Sequence, residues 1–136
     1  MLMYEDVSSA IDWLCRVFGF RESLRYVEAD GRVTHAQLMF GDHEIMVGWP
    51  GASYQSPKRH GQICQSVLVH VDDVDSHFTQ ASGAGAVIVS KPETQPFGER
   101  SYEAADLEGQ RWYFSEHVGD VEPESWGATV LRTSAQ

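Results

Sequence analysis

The chain has 136 residues, a formal net charge of −10 at neutral pH, and 42% hydrophobic against 22% charged residues. Such a composition belongs to a folded globular domain, and the acidic surplus repels phosphate backbones and anionic lipid surfaces, which argues against a nucleic-acid or membrane partner. No apolar run approaches a membrane span and no basic-then-apolar leader opens the chain, so a cytoplasmic location is expected. Cys15 and Cys64 show neither the count nor the spacing of a disulfide framework or a zinc site, and are read as small buried hydrophobes.

Met1 to Tyr4 is the stub of a strand, and Ser8 to Phe18 reads as a helix with Ile11, Leu14, Cys15 and Phe18 on its inner stripe. Three strands follow: Phe20 to Val27, Val33 to Phe40 after the hairpin dipeptide Asp30-Gly31, and His43 to Trp49 after Gly41-Asp42. Residues 50–62 carry proline, glycine and serine without periodicity and form a linker. The second half runs from a strand at Ile63 to Val71 and a helix at Val74 to Ala84 to a short strand at Val87 to Ser90 and a loop at Pro92 to Gly98. The strands Arg100 to Ala105 and Arg111 to Glu116 close it. Residues 117–136 are a polar tail with one apolar group, Trp126, Val130 and Leu131, read either as a short packed tail or as a frayed end.

The two halves repeat each other. Val71-Asp72-Asp73-Val74 answers Tyr4-Glu5-Asp6-Val7 at an offset of 67 (71 − 4), and Val74, His77, Phe78 and Ala81 stand over Val7, Ala10, Ile11 and Leu14. Both sets fall at i, i+3, i+4, i+7, one face of a helix written twice. An acid-rich turn precedes each helix, suited to capping, and a glycine, Gly19 or Gly85, follows each as a left-handed stop. The offset has slipped to 66 at those glycines, so the second helix is one residue shorter. The expected fold is α+β: one domain of two tandem βαβββ modules, 1–49 and 63–116, forming a curved mixed sheet with a cleft. Each module is too small to bury a good core alone, so the two must pack together.

If Gly41-Asp42 closes a two-residue hairpin, Phe40 pairs with His43, Leu38 with Ile45 and Ala36 with Val47, an apolar face that suits the helix. The opposite face shows His35, Gln37, Met39, Glu44 and Met46 to the cleft. In the last strand Trp112 and Phe114 suit the helix side, leaving Arg111, Tyr113 and Ser115 to the cleft.

The order of these motifs, from Tyr4-Glu5-Asp6-Val7 and Phe18-Gly19-Phe20 through Val71-Asp72-Asp73-Val74 to Asp106-Leu107-Glu108-Gly109-Gln110-Arg111-Trp112, resembles the glyoxalase, bleomycin-resistance and extradiol-dioxygenase superfamily, the vicinal oxygen chelate fold. In metal-dependent members of that family each half supplies ligands from its first and last strands. Residue by residue those positions fall on Met46, Ser66 and Tyr113, and the fourth precedes Met1. A thioether, a hydroxyl and a neutral phenol do not make a site for a hard divalent cation, so no metal and no cofactor is expected unless the chain starts earlier or other residues stand in. His35, Glu44 and His70 are the candidates for such a displaced set; the plainer reading makes them hydrogen-bonding groups on the cleft wall.

The segment Gln95-Pro96-Phe97-Gly98-Glu99-Arg100-Ser101-Tyr102 resembles a proline-aromatic-glycine-x-arginine segment of the bleomycin-resistance-like branch, and alternation places Arg100 and Tyr102 on one face, toward a shared ligand or toward a surface salt bridge. The expected ligand-binding set is thus His35, Gln37, Met46, Ser66, Leu68, His70, Arg100, Tyr102 and Tyr113. Two functions compete. One is metal-independent binding of a small organic molecule, an antibiotic for example; the other is a metal-dependent lyase, isomerase or dioxygenase with displaced ligands. The resemblance also implies a homodimer, since relatives commonly pair their modules across chains.

Overall fold

The computed structural model describes residues 1–131. The elements are β1 (Leu2–Met3), α1 (Val7–Trp13, continued by a π-turn over Leu14–Phe18), β2 (Arg21–Val27), β3 (Val33–Phe40), β4 (His43–Gly48), α2 (Pro57–His60), β5 (Ser66–His70), α3 (Val74–Gly83), β6 (Val87–Thr94), β7 (Glu99–Ala105) and β8 (Arg111–His117). A 3₁₀ turn follows at Pro123–Trp126. Two four-stranded mixed sheets, ordered β1-β4-β3-β2 and β5-β8-β7-β6, repeat one βαβββ plan in tandem.

The repeat extends to capping chemistry. The Asp6 carboxylate accepts the Ser9 N–H, and the Asp73 carboxylate accepts the Ser76 N–H, at 3.0 Å in both cases. The slip in the offset also has a structural cause. Counted to its closing glycine, the first helical segment (7–18) is one residue longer than the second (74–84), and the π-turn over Leu14–Phe18 absorbs it as a local widening before Gly19 ends the helix at φ 85°.

The hairpin register matches the expectation: Phe40 pairs with His43, Leu38 with Ile45 and Ala36 with Val47. Ala36, Leu38 and Val47 are buried under α1, as Trp112 and Phe114 are under α3. These helix-side faces merge into one core. The Phe18 ring meets Trp112 and Phe114 at 5.4 and 4.8 Å, and Phe20 meets Trp112 at 5.5 Å, so neither module buries its apolar face alone.

A polar latch joins the modules at one end of this core. The Asp106 carboxylate is buried and accepts four donors: Tyr4 O–H (2.6 Å), Trp112 Nε1–H, and the backbone N–H groups of Glu108 and Gln110 (3.0 Å each). Glu108 accepts the N–H groups of Glu5 and Asp6, and Gln110 donates to the Met3 carbonyl. The turn of the second module therefore closes onto the strand-to-helix turn of the first.

Three expectations are corrected. β5 begins at Ser66, so Cys64 lies outside it and is exposed, while Cys15 is half-buried. The loop foreseen from Pro92 belongs partly to β6, which runs to Thr94; its pairing with β7 is irregular between Ile88 and Glu93, and on an edge strand with a bulge the missing proline N–H breaks no ladder bond. The linker contains the short α2. Of the two readings of the tail, packing describes its start: Val118 and Gly119 donate to the Gly98 carbonyl, and Trp126 rests on Phe97 at 5.4 Å. The rest of the expected tail, residues 132–136, lies outside the described residues. No helix among the described residues is long and apolar enough to cross a membrane.

Candidate functional site

With helices covering one face of each sheet, the other faces are open. Strand pairing decides what shares them. In the first sheet Leu24, Gln37 and Met46 form one row and Tyr26, His35 and Gly48 the next. In the second, Leu68, Tyr113, Glu103 and Ser90 form a central row; His70, Ser115 and Ser101 lie on one side, and Ser66, Arg111, Ala105 and Val87 on the other. Met46, Leu68 and Tyr113 are 40%, 57% and 36% exposed, open for large apolar side chains on sheet strands.

Leu68 and Tyr113 of that central row form an apolar floor flanked by two polar clamps. At one end Glu103 accepts from Tyr113 O–H and from Arg111, both at 3.1 Å. Burial, and then the hydrogen bond to Glu103, raises the Tyr113 phenol above its ordinary pKa, so it stays protonated at neutral pH. At the other end Glu99 accepts from Ser115 Oγ at 3.0 Å and holds His117 Nδ1 at 2.6 Å, and His117 Nε2 lies 2.7 Å from Asp120. The hydrogen bond to Glu99, then that to Asp120, raises the His117 pKa; as an imidazolium it donates at both nitrogens. His70 Nδ1 stands 3.9 Å from Glu99.

The structure brings some of the expected residues together and separates others. Leu68, Tyr113, Ser66 and His70 share the open face of the second sheet, and His35, Gln37 and Met46 that of the first. Met46 and Ser66 both line a cavity of about 440 Å³ where the two sheets adjoin, with Glu44 and Met1. Arg100 and Tyr102 are on the wrong side. Tyr102 is 1% exposed in the core, 2.6 Å from His77 Nδ1, and Arg100 forms a two-pronged pair with Asp75 of α3 at 3.0 Å. The reason is parity: Tyr102 pairs with Phe114 and must share its helix-side face, so the odd-numbered residues of β7 are the ones that look outward. Glu99 and Glu103 were missed for that reason, although pairing β7 against Phe114 would have found them. If a ligand rests on the open faces, changing Arg100 to alanine should accordingly leave its affinity unchanged; loss of that binding measured by calorimetry would contradict this placement.

The proline-aromatic-glycine segment has a structural task instead. Gly98 adopts φ 87°, and a Cβ there would stand 2.0 Å from the Gly119 carbonyl oxygen, so only glycine lets the tail dock.

The family metal positions can be tested on donor chemistry. A thioether at Met46, a hydroxyl at Ser66 and a protonated phenol at Tyr113 do not fit a hard divalent cation. Among the described residues no three His, Cys, Asp or Glu side chains are gathered to hold a metal ion, and the proposed stand-ins His35, Glu44 and His70 are split between the sheets.

Two tandem βαβββ modules with a shared helix-side core and open second faces define the paired-module class of the vicinal oxygen chelate fold. The chain belongs to the Glyoxalase/Bleomycin resistance protein/Dioxygenase superfamily, whose model matches residues 1–114. It is similar to TioX from Micromonospora sp. ML1, with 41% identity over 89% of this chain and 95% of that one and a TM-score of 0.70. A superfamily member from Sphaerobacter thermophilus DSM 20745 shares the fold at 18% identity and a TM-score of 0.63, covering 85% and 91% of the two chains. The uncharacterized protein Mb0911c of Mycobacterium bovis is 30% identical over 125 residues, 88% of this chain and 82% of its own length.

Proposed function

We propose that this protein is a metal-independent small-molecule binding protein of the superfamily, acting in the cytoplasm and holding an organic ligand, such as an antibiotic, against the floor of Met46, Leu68 and Tyr113. The observation that carries the reading is that non-ligating side chains, Met46, Ser66 and Tyr113, occupy the family metal positions, while Tyr113 and the neighbouring Leu68 stay open beside fixed hydrogen-bonding clusters. Ser66, His70, Gln37 and His35 supply further polar contacts. Open faces of this kind call for a second wall, and a homodimer would supply it by setting the face of one copy against that of another.

A thermal-shift screen of antibiotics and metabolites tests the binding, because a ligand specific to the folded state raises the apparent melting temperature. A hit is expected to survive chelator treatment, and Tyr113→Ala should weaken it by about 1–3 kcal/mol with folding retained. Stoichiometric zinc, nickel, manganese or iron that a chelator removes together with binding would instead support the metal-dependent enzyme with displaced ligands. Sedimentation is expected to find a dimer at micromolar concentration; a stable monomer would contradict the shared cleft.

A further inference from the structure

A second cavity, of about 330 Å³, opens beyond the end of that floor, where the linker helix α2 crosses the turn between β7 and β8. Its walls are Trp13, Pro57, Ile63 and Leu107, and Lys58 and Arg111 also line it. The linker wall is fixed. Lys58 N–H donates to the Glu108 carbonyl at 3.0 Å, and the backbone there approaches Gly109 so closely that a Cβ on Gly109 would lie 2.8 Å from Lys58 N. The charges on the wall differ in availability. Asp106 is consumed by its four donors, Arg111 is held by Glu103, and Lys58 has no ion-pair partner among the described residues. In a chain of net charge −10 this is a pocket whose available charge is positive.

We infer that this cavity is a second ligand site, separate from the floor, that takes a small aromatic carboxylate, with the ring against Trp13, Ile63 and Leu107 and the carboxylate toward Lys58. The volume sets the size, at the lower end of the range of about 300–1,000 Å³ usual for small-molecule pockets. An aromatic wall with an apolar surround selects a planar ring, and an unpaired ammonium selects an anion.

The test is calorimetric titration of the full chain with 2-naphthoate and its neutral isostere 2-naphthamide, with amide chemical shifts to locate the probe. The acid should bind one-to-one at least ten-fold more tightly than the amide, shifting the Trp13 indole N–H. Lys58→Gln should bring the preference to within about three-fold, and Ile63→Glu should abolish binding of the acid; both positions are exposed, so the fold tolerates them. Leu68→Ala, on the floor, should leave the acid within two-fold, which keeps this site's fate independent of the floor's. Equal affinity for acid and amide, an unchanged preference in Lys58→Gln, or loss of binding in Leu68→Ala would each overturn the assignment.

Discussion

Asp106→Asn should destabilise the protein by about 3 kcal/mol while changing its shape hardly at all. The carboxylate meets four donors and no acceptor: Tyr4 O–H and Trp112 Nε1–H converge on Oδ2, and the N–H groups of Glu108 and Gln110 on Oδ1. An amide offers one acceptor oxygen, so whichever way it turns its NH₂ group faces two of those donors. Either Trp112 Nε1–H or a pair of backbone N–H groups then stays unpaired, at about 1–3 kcal/mol for each buried group. Burial raises the Asp106 pKa even against its four donors, so the neutral amide recovers part of the cost of burying a charge; what it cannot recover is the pairing of those donors. Since the donors come from both modules, the loss should appear as a lower urea midpoint for the whole domain. A variant within about 0.5 kcal/mol of the wild type would show that the latch is not a stabilising contact.

How far such contacts are legible in the sequence depends on their range. Helix caps at Asp6 and Asp73 and the register at Gly41-Asp42 follow from local chemistry at fixed spacing, and the structure has them where the pattern puts them. The face of β7 needed one pairing step more. Its outward residues Glu99 and Glu103 follow once Tyr102 is set opposite Phe114, but alternation alone fixes only that Arg100 and Tyr102 share a side, not which side. The slip in the repeat was visible as a missing residue; its expression as a π-turn was not, because a helix can absorb an insertion in several ways. The Asp106 latch lay beyond local reading altogether. Its donors Tyr4 and Trp112 are far apart in the chain, and no period or spacing connects them.

His77 is the second position where a large effect is expected, and here pH is the variable. In the repeat it stands where the first module has Ala10, which marks it as helix-face but gives no hint of its partners. Its Nε2 lies 2.8 Å from the Phe18 carbonyl oxygen, which can only accept, so Nε2 carries the proton and Nδ1 accepts the Tyr102 hydroxyl at 2.6 Å. The ring lies 4.2 Å from that of Phe114, centroid to centroid. His77 thus sits neutral between the two modules, and burial lowers its pKa below the ordinary value. For a base whose folded-state pKa is depressed, the unfolded chain binds the extra proton first. Stability is therefore fully present above the unfolded pKa of about 6.5 and is lost as pH falls from there toward the folded value, with a slope of up to about 1.4 kcal/mol per pH unit. His77→Phe keeps the ring packing but strands the Phe18 carbonyl and the Tyr102 hydroxyl, so at pH 7.5 it should be less stable by about 2–4 kcal/mol. That gap should narrow toward pH 5, because only the wild type has a proton to take up there. Urea unfolding of both proteins at pH 7.5, 6.0 and 5.0 measures the difference directly, with the other titrating groups common to both. A gap that stays constant would mean that folding leaves the His77 pKa unchanged, and one that widens on acidification that His77 is charged in the folded core; either would overturn this reading.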